Sequence, residues 1–439
     1  MQSTVAESKE TVSIVTQTSD VERRESDPST TFKEDDFPEG GTRAWLTVVG
    51  SFLVYFASFG MINSFGTFQD FYEKDYLSDS PPSAIAFIGS LQITLLYVGG
   101  LFTGPLFDAF GLQYMYPLAA LGSVISLIAL SFTHPQQIWQ QFLSQGVLFG
   151  LVVGFGTQPA LAVVGHYFKR RRALAMGIVA AGSSTGGVCF PIMFTRLFQK
   201  IGYAWSVRVG ALITLICYGF AMLISRPRLP RRSLTRLSQL VDLDGFKDPR
   251  YSVLLAGTFL VNLGLYIPYF YLGPFAQLIG VSSTVHPYLL SMINGASFVG
   301  RVLGGQLADR YGRLNVLFPA TLIAGVLVLA MWLPAQGAAP LIVFACLYGI
   351  MSGVHISVCP AVIGNFSPTD RLGARIGTFF AGIAVATLIG TPLGGAFLRH
   401  GVVAEYHNLA IFSGVMIVAG ALIIGGARLL CTRNLKAKW

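Results

Sequence analysis

Charge is scarce in this chain: Asp, Glu, Lys and Arg make up 12% of its 439 residues, while 53% are hydrophobic. A water-soluble fold of this size could not be covered with so little charge without exposing large apolar areas. Cysteine is sparse too. Cys189, Cys217, Cys346, Cys359 and Cys431 are scattered, giving neither a disulfide framework nor metal-ligand spacing. No P-loop, no His-rich or carboxylate-rich cluster and no nucleophile paired with a base stands at a segment end, so the sequence points away from an enzyme, a metal site or a cofactor. Its glycine-rich stretches lie inside apolar segments, where they cannot cradle a phosphate. The amino terminus lacks an apolar signal-peptide core and a cleavage pattern; residues 1–43 read as a disordered cytosolic tail rich in Ser, Thr, Glu and Asp.

Apolar runs are present in their place. About 20 residues of helix cross roughly 30 Å of hydrocarbon, and twelve such segments are expected: 44–71, 84–107, 112–132, 138–165, 173–195, 204–225, 251–278, 285–308, 314–333, 341–366, 373–398 and 408–430. Strands of a lipid-facing barrel would alternate in polarity and these do not, so the fold class is an all-α integral membrane protein. Lys169–Arg172, Arg226–Arg250, Arg310 and Arg313 crowd one set of loops; the opposite loops carry Lys74, Arg196, Lys200, Arg208 and Arg399. The positive-inside rule then places both termini in the cytosol. Most of the +9 net charge is this bias, and its basic runs rest on anionic lipid rather than on nucleic acid.

A repeat organises the segments. Gly104-Pro-Leu-Phe-Asp108-Ala-Phe-Gly111 returns as Gly305 to Gly312 within Arg301-Val-Leu-Gly-Gly-Gln-Leu-Ala-Asp309-Arg310-Tyr-Gly312-Arg313, an offset of 201 residues (309 − 108) that also carries Pro159 onto Pro360. Such register implies two pseudo-symmetric six-helix lobes, 44–225 and 251–430, joined by a cytosolic linker at 226–250 and followed by a cytosolic tail at 431–439. Asp309, Arg310, Arg313 and Asp108 are expected to form gating loops in which an acidic side chain caps a neighbouring helix end in one conformation and releases it in another.

The chain resembles the major facilitator superfamily and, within it, the monocarboxylate porter family in its fungal form. Three segments carry the resemblance: Pro38-Glu39-Gly40-Gly41-Thr-Arg-Ala-Trp45, then Tyr167-Phe-Lys-Arg-Arg-Arg-Ala-Leu-Ala-Met-Gly177 with Ala181-Gly-Ser-Ser-Thr-Gly186, and the Asp309 loop. The resemblance implies twelve helices in two lobes, alternating access, and a substrate that is a small organic acid. In proton-coupled lactate carriers of that family, helix 1 bears a lysine and helix 8 an aspartate one turn before an arginine. Here those positions are Asn63, Ser297 and Arg301, so an anion-holding role carries over to Arg301 while lactate specificity and the known proton pathway do not. Fungal relatives of this pattern include uptake carriers and exporters of secondary metabolites, and the sequence leaves both directions open.

Ionisable groups deep in lipid are expensive, and each is a candidate for function. Arg301 lies near the middle of its segment, with Asn294 and Ser297 on the same face, and a guanidinium there can hold a carboxylate in two parallel hydrogen bonds. Asn63, Asn262, Tyr266 and Tyr269 are further candidates for the cavity lining. His355 is the candidate for proton coupling. The expected partners are a small-molecule substrate and the lipid bilayer, with a complete two-lobe unit in one chain able to work as a monomer. Efflux of a bulkier metabolite is the alternative to organic-acid transport, and a transporter-like nutrient sensor the remote one.

Overall fold

The structure is a computed structural model that describes residues 37–228, 243–367 and 372–432, with Asp108 and 372–374 described in backbone alone. The expected 1–43 tail, the 226–250 linker and the 431–439 tail therefore lie partly outside the described residues.

Among the described residues twelve membrane-length helices follow one another. They are α1 (Thr42–Tyr76), α2 (Pro82–Phe110), α3 (Leu112–Ser131), α4 (Ile138–Val164), α5 and α6, α7 (Pro249–Leu278), α8 (Leu289–Tyr311), α9 (Arg313–Trp332), α10 (Ala338–Ile363), α11 (Leu372–Ala396) and α12 (Val403–Cys431). α5 and α6 are the arms of the run Arg172–Ile224, in which Gly202 reverses the chain at φ 79° and ψ 169°. The loop expected over 196–203 is thus almost absent: α5 continues to residue 201 and one glycine makes the turn, a backbone conformation that a side chain disfavours. Likewise α8 runs through Asp309 and Arg310 to Tyr311, leaving Gly312 at φ 103° as the whole connection to α9. Asp309 is a helix residue, in the last turn of α8.

α8 is less apolar than its neighbours because it carries Arg301, Gln306, Asp309 and Arg310. It is tolerated at membrane depth because α5 and α10 pack along it. Across the lobes α5 meets α8 and α2 meets α11, pairs that the repeat interchanges. Small residues bring these backbones together. A Cβ added at Gly177 of α5 would stand 2.5 Å from the Arg301 carbonyl oxygen, and one added at Gly377 of α11 would stand 2.7 Å from that of Gly100 on α2. At the end away from the basic loops, Phe65 of α1 packs on Phe270 of α7 with ring centroids 5.5 Å apart. Helical geometry in α1 is interrupted at Ser58 and Ser64, and in α7 at Tyr266 just before Pro268. Interrupted helices at the lobe interface are where transporters of this architecture build their binding sites.

Candidate functional site

Between the lobes lies a cavity of about 60 Å³ walled by Tyr55 and Phe59 of α1, Leu96 and Tyr97 of α2, Gln158 and Leu161 of α4, Met176 and Ala180 of α5, Thr258, Asn262, Leu265 and Tyr266 of α7, Arg301 of α8, His355, Ile356, Ser357, Cys359 and Pro360 of α10, and Phe380 and Ile383 of α11. Every lobe-facing helix contributes. The volume holds a few waters, so the conformation is a contracted one.

Arg301 dominates the electrostatics. It is 1% exposed and ten residues from the end of α8, about 15 Å along a helix axis. Its Nε donates to Ser297 Oγ at 3.2 Å, and its Nη1 donates to the Ala180 carbonyl at 2.7 Å and to the Ser183 hydroxyl. Nη2 has no acceptor among the described residues. Among the described residues no carboxylate pairs with this guanidinium, whose charge is permanent. A buried cation with an unspent donor in a cavity wall is a site that an acceptor-bearing ligand would complete.

The other expected site residues divide. Asn262 and Tyr266 line the cavity, and the Tyr266 hydroxyl meets that of Tyr97 at 3.1 Å. Tyr269 is one ring away, 6.0 Å from Tyr266 between centroids, with its hydroxyl on Ser352 at 3.0 Å. Ser297 is pinned beneath Arg301 and orients it. Asn294 shares the helical face of Arg301 but sits farther along α8, fully buried against Gly187 of α5, with its Nδ2 donating to Leu290. Asn63 Nδ2 lies 3.5 Å from the Ser183 carbonyl, again toward α5. Asn294 thus belongs to the lobe interface, while the Asn63 contact lies within the N-terminal lobe. His355 reaches the cavity and makes a 2.8 Å contact from Nδ1 to Thr321 Oγ1 of α9.

Tyr55 and Tyr97 were not among the expected residues. Both are aromatic residues on helices that are apolar all round, and only the neighbours they meet distinguish them from lipid-facing rings. Ser183 was legible as part of the Ala181–Gly186 segment, without its role as a guanidinium acceptor.

At the basic end, Asp309 Oδ2 accepts the Leu174 backbone N–H in the first turn of α5 at 3.0 Å. Arg313 donates through Nη1 to the Ala361 carbonyl and Asn365 Oδ1 at the end of α10, with Nη2 3.7 Å from Asp309. Arg310 points away and lies over the Tyr311 ring. The Asp108 side chain lies outside the described set. The Glu39 carboxylate accepts the backbone N–H groups of Lys169 and Arg170 at 2.6 and 2.5 Å and of Arg171 at 3.2 Å, just before α5. Trp45 packs on Phe168 at 5.3 Å. The three sequence segments quoted above thus converge on the start of α5.

Comparison with known proteins agrees with this architecture. The family model described as Major Facilitator Superfamily matches residues 47–340 and 280–433. "MFS transporter asaE" of Aspergillus flavus is 39% identical over 93% of this chain and 92% of its own length. "Aspyridones efflux protein apdF" of Emericella nidulans is 36% identical over 91% and 80%, and "Agnestins efflux protein AgnL12" of Paecilomyces divaricatus is 36% identical over 90% of each. In fold, the crystal structure of the human organic anion transporter MFSD10 (TETRAN) superposes with a TM-score of 0.65 at 16% identity, covering 87% of this chain and 98% of that one. A two-lobe, twelve-helix bundle with a cavity at its interface, and these matches along nearly its whole length, make this chain a multi-pass membrane transporter that belongs to the Major Facilitator Superfamily.

Proposed function

We propose that the protein exports an acidic secondary metabolite across a fungal plasma membrane by alternating access, with Arg301 holding the anionic or carbonyl group of the substrate. The observation that carries this reading is the unspent Nη2 of a buried, carboxylate-free Arg301 in an aromatic cavity. Efflux is supported by the names of the curated relatives from Emericella and Paecilomyces. On the positive-inside rule the basic end, with both termini, faces the cytosol. The monocarboxylate porter resemblance is supported by the convergence of its segments at α5, and one chain supplies a full two-lobe unit that acts as a monomer. The remaining candidates serve as lining (Asn262, Tyr266, Tyr269), as lobe interface (Asn294), as a contact between α1 and α5 (Asn63) and as support of Arg301 (Ser297). Residues 44–225 and 251–430 are the moving lobes.

A second reading, carriage of a small monocarboxylate, is favoured by the buried Arg301 guanidinium, which can hold a carboxylate in two parallel hydrogen bonds. Purified protein in liposomes, tested for flux of labelled organic acids and aromatic metabolites with and without a pH gradient, separates the two. Flux of an acidic aromatic compound that Arg301→Ala abolishes supports export. Flux confined to small carboxylates supports the second reading, and flux indifferent to Arg301→Ala removes this residue from the binding site.

A further inference from the structure

The hydrogen bonding around His355 favours one place for its hydrogen. The Thr321 hydroxyl has a single hydrogen, and it is donated to the Leu317 carbonyl at 2.7 Å. A carbonyl can only accept. With its hydrogen on the Leu317 bond, the Thr321 oxygen faces His355 Nδ1, 2.8 Å away, as an acceptor, an arrangement that puts the imidazole hydrogen on Nδ1. Its Nε2 then carries a lone pair, on a ring that lines the cavity and has no other hydrogen-bond partner among the described residues. In the same wall stands Arg301 Nη2, a charged donor with nothing to donate to. Among its polar groups the cavity thus presents an unused charged donor and an unused imidazole acceptor.

We propose that this pair reads an amphiprotic acidic group, one that offers an acceptor oxygen to Arg301 and an O–H or N–H donor to His355 Nε2, and that a proton bound at Nε2 excludes such a substrate. Hydroxy-substituted aromatic acids, enolised dicarbonyls and acyl lactams are compounds of this class. The proposal rests on the reading of Arg301 as the substrate's anchor and adds what selects the substrate and what opposes it. When Nε2 takes a proton from a hydronium ion, an O–H bond breaks and an N–H bond forms, water is released, the lone pair is used, and the acceptor becomes a donor facing the substrate's own donor. Proton and substrate then occupy one atom by turns. This mutual exclusion is what a carrier needs to exchange an outgoing substrate for an incoming proton. The titratable and charged groups that face the cavity with His355 are Arg301 of α8, Tyr55 of α1, Tyr97 of α2, Tyr266 of α7 and Cys359 of α10, with no carboxylate among the described lining residues. Arginine keeps its charge, and phenols and thiols are neutral below pH 7. Among these groups the imidazole is the one able to gain a proton on acidification.

The test uses the purified full-length protein and six probes, the three hydroxybenzoate isomers and their methyl ethers, which keep the carboxylate and lose the O–H donor. Binding is followed by calorimetry between pH 8 and pH 5. At pH 8 the wild type is expected to favour at least one hydroxy compound over its ether by about tenfold, the worth of one good hydrogen bond, and this preference shrinks as the pH falls. His355→Asn keeps a donor for Thr321 and removes Nε2; it should bind both members of each pair equally, at all pH values. Thr321→Val keeps the imidazole, releases the Nδ1 hydrogen and should lose part of the preference. Arg301→Ala should bind neither. A preference retained in His355→Asn, or one independent of pH in the wild type, overturns this inference and leaves the anchoring role of Arg301 standing. Equal binding by Arg301→Ala and wild type, or no binding of any probe by the wild type, overturns the anchoring role and this inference with it.

Discussion

The Asp309 carboxylate on α8 accepts the backbone N–H of Leu174 in the first turn of α5 at 3.0 Å. The bond joins the two lobes, and it places a negative charge where the α5 dipole and its unsatisfied N–H groups favour one. Because it spans the two lobes, it has to break if they part at the basic end.

Asp309→Asn should therefore favour opening at that end. A charge at a helix N-terminus contributes about 0.3–1 kcal/mol and up to ~2 kcal/mol when partly buried, which shifts the equilibrium by roughly 2- to 30-fold. Cys359 lines the cavity and reports on access to it. Its alkylation by a maleimide, in a variant whose other four cysteines are serine, should accelerate several-fold in Asp309→Asn. An unchanged rate would show that the Asp309 contact does not hold the lobes together.

The same state depends on backbone contact. Arg301 carbonyl oxygen and Gly177, and Gly100 carbonyl oxygen and Gly377, meet at distances that leave no room for a Cβ. Gly177→Ala and Gly377→Ala should each destabilise the contracted state by about 1–3 kcal/mol, the usual range for overpacking. Both should speed Cys359 labelling and slow transport while leaving membrane insertion intact. Opposite effects of the two substitutions would contradict the equivalence of the α5–α8 and α2–α11 contacts.

The helices were legible because each must satisfy its backbone within lipid and is therefore long, apolar and uninterrupted by polar runs. Arg301 was legible because a charge in such a run is rare. Which side of a helix meets a partner was much less so. Asn294 and Arg301 lie on one face of α8, seven residues apart, yet Gly187 covers the first while the second opens on the cavity. Sequence periodicity reports the face of a helix and not what lies against it at each height. Tyr97 carries no mark that separates it from a lipid-facing ring. The Asp309 contact was expected in kind, a carboxylate capping a helix end, but its partner α5 belongs to the other lobe and emerged only from the packing.

His166 gives a pH dependence. It follows α4, outside the membrane-spanning helices, and burial together with the positive charges of Arg172 and Arg228 lowers its pKa to about 4. An unfolded chain would hold this imidazole near its ordinary value of about 6.5. Between these values the unfolded state binds the extra proton, so stability rises with pH, is fully present above about 6.5 and is lost as the pH falls toward 4. The loss is at most on the order of 3 kcal/mol. His166→Gln should flatten the dependence of the melting temperature in detergent between pH 7 and pH 5 without lowering it at pH 7.5 by more than a few degrees. A slope unchanged by the substitution would assign the effect to other groups.

Glu39 ties the segment before α1 to the segment before α5. Its carboxylate accepts three successive N–H groups, from Lys169, Arg170 and Arg171, the arrangement of an anion held in a concave run of backbone amides. Charge-assisted hydrogen bonds of this kind contribute about 1.5–3 kcal/mol. Glu39→Gln keeps the length of the side chain but removes its charge and replaces one acceptor oxygen by a donor, leaving a backbone N–H without a partner. Lys169, Arg170 and Arg171 are themselves trypsin sites, so the loosened loop should be cut in Glu39→Gln at least several times faster than in the wild type. Glu39→Asp, which keeps both oxygens on a shorter arm, should fall between the two. Equal cleavage of all three proteins would mean that the loop is held in place by contacts other than the Glu39 carboxylate, such as the packing of Trp45 on Phe168.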